Sequence, residues 1–257
     1  MDLASTLRTL ALLATSFAAC NSCPAAPEEI QVYLDDLSAP GQFGVDVHSS
    51  YVLSGSKTPG YLGETPPHRL LRLTPEFYYG ISPSVELGLY LLTSRSADGN
   101  TRLDGSKLRL KYIAPHDEKA GAFWGLNLEV GRTAIQVSQT PWNAQLKGIV
   151  GLRSGSWTLG ANTNLDWSLS KGGGPVAVSL DLKVAREVRE HSQLGFELYS
   201  ELGPLRRIQA LNRNAKTLFA VLDQELGGDI DLNLGLGRGL TDDADRWVVK
   251  LVLGTHF

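Results

Sequence analysis

Apolar and polar residues alternate along almost the whole chain after residue 41, and this pattern constrains the fold more than any other feature. It is cleanest in segment 157–169, whose mostly apolar odd-numbered positions are Trp157, Leu159, Ala161, Thr163, Leu165, Trp167 and Leu169. Such period-two alternation predicts a β-strand with one apolar and one polar face. About twelve segments of this kind predict an all-β fold.

The predicted strands are separated by loops rich in Gly, Pro and Ser, in keeping with the 27 glycines of the chain. Gly and Pro interrupt regular pairing, so these loops mark the strand boundaries. The strands are predicted near residues 42–53, 71–79, 85–91, 107–112, 124–131, 144–153, 157–169, 176–184, 194–198, 217–226, 230–236 and 247–257. Segment 217–226 is the least regular of them.

Two architectures provide an environment for such strands. In a soluble sandwich the apolar faces meet in a dry core, whereas in a transmembrane barrel they face lipid and the polar faces line the lumen. Strands of about 8 to 13 residues are long enough to cross a bilayer when tilted. Long and short loops alternate, and aromatic residues fall near the strand ends, as interfacial belts require. These aromatic residues are Tyr51, Phe77, Tyr79, Trp124, Trp157, Trp167 and Trp247.

These features favour the barrel over the sandwich. We therefore predict a transmembrane antiparallel up-and-down β-barrel of about twelve strands in the outer membrane of a Gram-negative cell. It spans residues 42–257. An even number of strands places both termini of the chain in the periplasm.

Residues 1–26 differ from the rest of the chain. Arg8 precedes an apolar stretch from Leu10 to Ala19, and small residues follow it, which is the pattern of a signal peptide. The stretch is too short for a membrane-spanning helix, which needs about 20 apolar residues. Cleavage is expected near residues 18–20, with lipidation of Cys20 as the alternative, and residues 27–41 are expected to form a periplasmic segment.

Charge and cysteine content exclude some functions. The chain has 24 Lys and Arg against 27 Asp and Glu, a formal charge of −3 that argues against a nucleic-acid partner. Both cysteines lie in or beside the signal peptide, so the barrel needs no disulfide. No metal-binding or cofactor motif is present around the five histidines, which are His48, His68, His116, His191 and His256. No metal site and no cofactor are therefore predicted.

The final strand carries a more specific signal. It ends on Phe257 and has Val249, Leu251, Leu253 and Thr255 at every second position before it. This pattern resembles the terminal strand that the outer-membrane assembly machinery recognises. The expected partners are therefore that machinery and outer-membrane lipid, together with a small-molecule solute.

Four longer stretches resemble the bacterial barrel family labelled "MetA-pathway of phenol degradation". They are Pro40-Gly41-Gln42-Phe43-Gly44, Arg72 to Gly80, Glu86 to Leu91, and Gly237 to Thr241 leading to Asp245-Arg246-Trp247-Val248-Val249-Lys250. The resemblance covers most of residues 30–257 and implies a barrel in the cell envelope. It also implies transport of small, often aromatic or apolar compounds, and it defines no catalytic residues.

The polar faces of the predicted strands concentrate charge inside the barrel, because a Lys or Arg facing the middle of the bilayer would cost about 2 to 4 kcal/mol. Basic residues prevail on strands four to six and acidic residues on strands seven to eleven, so the two arcs are expected to face each other. Lys107, Arg109 and Lys111 are expected beside Glu129, facing Asp166 and Asp181 directly or through water. The lumen-lining candidates are Arg72, Glu76, Glu86, Lys107, Arg109, Lys111, Glu129, Lys147, Asp166, Asp181, Lys183 and Glu197.

Three functions are consistent with such a lumen. Hydrated charges would leave a passive channel for a small, apolar or aromatic solute, which is the favoured hypothesis. Paired charges would seal the barrel and leave a structural or adhesive role to its loops. A lipid-modifying enzyme would need Ser and His together at the outer rim, for which His68 with Ser94 or Ser96 is the available combination. No catalytic constellation is readable, so an enzyme is not predicted.

Overall fold

The computed structural model describes residues 29–117, 120–208, 214–227 and 229–257, so the predicted signal peptide and Cys20 lie outside the described residues. No helix in the described ranges is long and apolar enough to cross a membrane. A short 3-10 helix occupies Leu205–Arg207. The strands are β1 (Phe43–Ser54), β2 (Leu71–Ser82), β3 (Val85–Arg95), β4 (Thr101–Ile113), β5 (Gly121–Thr133), β6 (Trp142–Ser154), β7 (Trp157–Ser168), β8 (Ala177–Arg189), β9 (Ser192–Pro204), β10 (Lys216–Glu225), β11 (Ile230–Gly239) and β12 (Trp247–His256).

The strands form one closed barrel in which each strand pairs antiparallel with the next and β1 pairs with β12. The register of the closing pair sets Gly44 opposite His256 and Tyr51 opposite Val249. Phe43 and Phe257 exchange two backbone hydrogen bonds of 2.8 and 3.2 Å beyond the end of β12. Closure leaves no exposed strand edge, which is the condition for a sheet to span a bilayer. The predicted all-β, up-and-down barrel is confirmed.

The side chains alternate between the two faces as the sequence pattern predicts. On β4, Leu108 and Leu110 are 58% and 45% exposed on the outer face, whereas Lys107, Arg109 and Lys111 are buried inside. Because the outer wall is a continuous apolar surface and the inner wall is polar, lipid is the environment that the outer face requires.

Aromatic side chains form two belts on the outer wall. At one end Phe43 packs against Tyr79 with ring centroids 4.7 Å apart, and Tyr112 packs against Trp124 at 5.9 Å. At the other end Trp142, Trp167 and Trp247 lie at the start or end of their strands. Aromatic rings prefer the membrane interface, so the belts mark the two boundaries of the lipid layer.

The two ends of the barrel differ in their connections. Turns 83–84, 155–156 and 190–191 are short, whereas loops 55–70 and 205–215 at the opposite end are long. In barrels of this type the short turns face the periplasm and the long loops face outward. We refer to these ends below as the periplasmic end and the outer end.

The assignment of a lipid-facing wall leads to a testable prediction about β4. Replacing Leu108, near the middle of the strand, by Lys is expected to lower the free energy of unfolding by about 2–4 kcal/mol, because the ammonium would face the hydrocarbon layer. Leu103→Lys on the same strand is the matched control. Leu103 is also exposed on the barrel surface but lies near the outer end, where the cost falls to about 0–1 kcal/mol. Urea unfolding in detergent would measure both, and equal losses would contradict this depth assignment.

Candidate functional site: a constricted lumen

Residues 29–41, called the N-terminal segment below, run inside the barrel and not beside it. The chain crosses the periplasmic end next to Gly80, where the Gly41 nitrogen donates a 2.8 Å hydrogen bond to the Gly80 oxygen. A Cβ atom at Gly80 would lie only 2.2 Å from the Ala39 oxygen, so glycine permits this close approach. Gly41 has a φ of +85°, a left-handed conformation that glycine adopts readily, at the point where the chain turns into β1. Residues 27–41 are predicted from the sequence to form a periplasmic segment, of which residues 27 and 28 lie outside the described residues.

Tyr33 anchors the N-terminal segment to the inner wall. Its backbone nitrogen donates to Asn162 Oδ1 at 2.6 Å, and Asn162 Nδ2 donates to the Tyr33 oxygen at 2.9 Å. Both partners are buried. One wall side chain therefore satisfies both backbone groups of Tyr33, much as a neighbouring strand would.

The Tyr33 ring lies among basic residues. The Nζ atoms of Lys147 and Lys111 are 3.9 and 5.0 Å from its centroid, and the Arg109 guanidinium carbon is 5.9 Å away. The Tyr33 and Tyr90 hydroxyl oxygens are 2.5 Å apart. Cations over an aromatic face are attracted by its quadrupole, by about 2 kcal/mol or more where water is excluded. The ring thus occupies the predicted basic arc of the lumen.

Two further residues of the N-terminal segment, Asp35 and Ser38, bind the wall near the periplasmic end. Arg153 donates to both carboxylate oxygens of Asp35, at 3.1 and 2.5 Å. His116 Nε2 lies 2.9 Å from the same carboxylate. The Ser38 nitrogen and hydroxyl both donate to Glu86 Oε2 at 2.7 Å. The segment is therefore held along its length by charged side chains of the wall.

These contacts change the pKa of the Asp35 carboxyl group. Burial alone would raise the pKa of Asp35, but the hydrogen bonds from Arg153 and His116 outweigh it and hold the pKa below its usual range. Asp35 is therefore ionised at neutral pH, and its bond to the guanidinium is charge-assisted.

The predicted lumen-lining residues lie on the inner face of the barrel. The buried ones are Glu76, Glu86, Lys107, Arg109, Lys111, Glu129, Lys147, Asp181, Lys183 and Glu197, while Arg72 and Asp166 are partly exposed. Arg72 lines the outer part of the lumen. Period-two alternation accounts for these positions, because a residue that faces lipid places both of its neighbours in the chain inside.

Most of the described ion pairs join near neighbours, and the expectation that the two arcs face each other, directly or through water, stays a prediction. Arg109 contacts Glu76 Oε1 at 2.6 Å and Glu86 Oε1 at 2.5 Å, and Lys107 lies 3.6 Å from Glu129. The described hydrogen bonds of Asp166 and Asp181 come from amides. Their donors are Gln145, at 2.7 Å, and Asn164, at 2.7 Å. Partners on adjacent strands are close enough for direct contact, and this geometry favours local pairing.

Lys250 is a lumen residue that the sequence analysis did not select. It is 1% exposed and its ammonium binds the Glu197 carboxylate and, at 3.1 Å, the Ile30 oxygen of the N-terminal segment. Lys183 binds the same carboxylate at 3.1 Å and Asp223 at 2.9 Å. Alternation on β12, with Val249 and Leu251 facing lipid, would have placed Lys250 inside.

Apolar side chains also line the lumen, and this was not predicted. One patch consists of Ile113, Phe123 and Ile149, which pack against Tyr33, Leu34 and Leu37 of the N-terminal segment. A second patch consists of Val52, Phe219, Val221 and Val248, which pack against Ile30 and Tyr199. The only sequence signal for them is that apolar residues occur on both faces of their strands, as in Val248-Val249 on β12.

Two large cavities lie on either side of the N-terminal segment. The periplasmic cavity has a volume of about 560 Å³ and is lined by residues such as Ser38, Gln42 and His256. The outer cavity has a volume of about 590 Å³ and is lined by residues such as Ser56, Glu64 and Asp243. Gln31 lines both cavities. The N-terminal segment is therefore a constriction between two vestibules.

The Ser and His combination considered for an enzyme lies at the outer end. His68 and Ser96 line one cavity of about 410 Å³, together with Asp98. The Ser96 hydroxyl donates to the Asp98 carboxylate and to the Asn100 oxygen, and no described hydrogen bond joins it to His68. Ser94 is buried in the wall. A nucleophile needs its base within hydrogen-bond reach, so the described contacts do not form a catalytic triad.

A closed barrel with an apolar outer wall and a polar, constricted lumen is the architecture of outer-membrane β-barrels, and this chain has that architecture. No protein-family model matches the sequence, and no curated protein matches it.

Solved structures of bacterial channels share the fold. An outer membrane channel from Pseudomonas putida F1 superposes with a TM-score of 0.62 and 13% identity, over 89% of this chain and 100% of that chain. The KdgM porin gives a TM-score of 0.52 and 9% identity, over 83% and 98%. The NanC porin gives 0.50 and 13%, also over 83% and 98%. At these identities the similarity concerns the fold.

Proposed function

We propose that the protein is a passive outer-membrane channel for a small apolar or aromatic solute, narrowed by its own N-terminal segment. The observation that carries this proposal is the pair of cavities of about 560 and 590 Å³ on either side of the N-terminal segment, both lined by Gln31. A sealed structural barrel has no need for large cavities open towards both of its ends. Membership of the MetA-pathway barrel family, and insertion by the assembly machinery through the strand ending at Phe257, belong to the same proposal.

The apolar patch at the outer cavity supports an apolar or aromatic solute. Val52, Phe219 and Val248 line this cavity, and Tyr199 stands at 5.6 Å from Phe219 in an edge-to-face arrangement. Ligand sites are mostly apolar and carry a few polar groups that fix orientation. Here Lys147 and Asp181 line the same cavity as the aromatic pair.

Single-channel recording in planar bilayers tests this proposal. We expect the native protein to conduct ions, and a small aromatic alcohol to produce transient current blockades that a polyol of similar size does not produce. Phe219→Ala should shorten the blockades, because it removes the buried ring that packs edge-to-face on the partly exposed Tyr199 at the wall of the outer cavity. Phe77→Ala is the matched control, since Phe77 is on the lipid-facing wall.

The other outcomes each favour a different function. No conductance, together with unchanged solute uptake by cells that lack the protein, would support a sealed structural barrel. Equal blockades in the native and Phe219→Ala proteins would show that the aromatic patch does not bind the passing solute. A lipase or deacylase activity lost on His68→Ala would support the enzyme hypothesis instead.

A further inference from the structure

Three potential metal ligands meet where the inner end of the N-terminal segment reaches the wall. They are Glu29 of the segment, His48 of β1 and Glu76 of β2, and one ligand atom of each lies within 4.8 Å of the others. His48 and Glu76 are each about 2–3% exposed. The Tyr33 hydroxyl donates to Glu29, which fixes the Glu29 carboxylate in position.

The spacing of the two wall ligands fits a small metal ion. His48 Nε2 and Glu76 Oε2 are 3.1 Å apart. Two ligands of a tetrahedral Zn²⁺, bound at about 2.0–2.1 Å, are separated by roughly 3.3 Å. Glu29, which lies outside the strands, has only to close the remaining distance by a change of side-chain rotamer.

The excess of carboxylates around His48 also favours the binding of a cation. Asp46 lies opposite Glu76 in the β1–β2 register, so Glu29, Asp46 and Glu76 surround one imidazole. Arg109 is the guanidinium in contact with Glu76, and it is shared with Glu86. Buried carboxylates in excess of their cations are destabilising unless another positive charge joins them.

His48 is available as a ligand. The described contact of its Nε2 is with Glu76, and its buried Nδ1 has no hydrogen-bond partner among the described residues. Metal binding would therefore replace the described hydrogen bond of the imidazole. Imidazole combined with carboxylate suits Zn²⁺ and related transition metals, whereas Mg²⁺ prefers oxygen ligands alone.

We propose that Glu29, His48 and Glu76 form a binding site for a divalent transition-metal ion, with Zn²⁺ as the best fit, that fastens the inner end of the N-terminal segment to the barrel wall. The ligands come from three separate parts of the chain, which is why no metal-binding motif is visible in the sequence. An ion that binds only when Glu29 is in place stabilises the docked segment by mass action.

Isothermal titration of untagged, EDTA-treated protein with Zn²⁺ tests the site without any measurement of transport, so its outcome is independent of the channel proposal. The experiment uses a His191→Gln background, because the exposed cluster of His191, Glu190 and Glu225 would compete for the ion. We expect one saturable Zn²⁺ per barrel and no competition by an excess of Mg²⁺. Glu29→Gln and His48→Gln should each weaken binding by about tenfold or more.

Glu29→Gln keeps the test decisive if His48→Gln disturbs the wall, because Glu29 lies outside the strands. His68→Gln, in the outer loop, is the matched control and should bind Zn²⁺ like the parent protein. Absence of saturable binding in the parent, or unchanged affinity in both Glu29→Gln and His48→Gln, would overturn the proposal.

Discussion

Removal of residues 29–39 is expected to raise single-channel conductance several-fold. The N-terminal segment lies between the two cavities, and Gln31 is in the wall of both. Without the segment, its own side chains, Tyr33 among them, would no longer fill the lumen. The two cavities would then join into one. Conductance of a water-filled pore increases as its narrowest section widens. Planar bilayer recordings of native and truncated proteins at equal salt concentration would measure the change.

A point substitution separates widening of the pore from damage to the barrel. Asn162→Ala removes both hydrogen bonds that hold the Tyr33 backbone, at 2.6 and 2.9 Å. The segment should then leave the lumen more often, and the channel should spend a larger fraction of time at the high conductance of the truncated protein. Asn164→Ala is the matched control. Asn164 is on the same face of β7, but it donates to Ser179 and Asp181 of the wall. If the truncated and native proteins conduct equally, the segment is not the constriction.

The fold could be predicted from the sequence because alternation is a local property. Leu108 and Leu110 fix the lipid-facing side of β4, and period two then leaves Lys107, Arg109 and Lys111 only the lumen. Burial of these three basic residues agrees with that argument. The twelve strand positions follow in the same way, including β10, where Leu218 and Leu222 set the outer face.

The constriction could not be predicted, because it depends on contacts between distant parts of the chain. Tyr33 and Asn162 are 129 residues apart, and nothing in the short stretch around Tyr33 indicates a partner. The apolar residues of the N-terminal segment pack on luminal patches such as Ile113 and Phe123, which alternation alone would have made polar. Pairing of Arg109 with Glu76 and Glu86 likewise follows from register and side-chain reach, neither of which the sequence displays.

Glu197→Gln is expected to cause the largest loss of stability among conservative substitutions in the lumen. The Glu197 carboxylate is 1% exposed and binds two ammonium groups, those of Lys183 and Lys250. It also accepts a 2.6 Å hydrogen bond from the Tyr199 hydroxyl. The amide keeps the shape of the side chain but removes its charge, so any loss reflects electrostatics more than packing.

The two lysines would respond differently to this substitution. Lys183 keeps Asp223 at 2.9 Å, whereas the described acceptors left to Lys250 are the neutral Ile30 oxygen at 3.1 Å and the Tyr199 hydroxyl at 3.3 Å. Breaking a buried ion pair from one side costs about 3–5 kcal/mol, because the remaining charge is buried without compensation. We therefore expect a loss of that size in the free energy of unfolding, measured by urea titration in detergent. The temperature at which heating changes the gel mobility of the protein should also be lower.

Glu225→Gln is the control, because it makes the same chemical change in an exposed pair. Glu225 contacts His191 at 2.5 Å, with side chains 63% and 56% exposed. Exposed ion pairs contribute little to stability, since water and salt screen them. The difference between the two variants in the free energy of unfolding therefore measures how burial changes the effect of the same substitution. Equal stabilities would mean that water reaches Lys250 freely, and the lumen around Glu197 would then be hydrated and not sealed by its ion pairs.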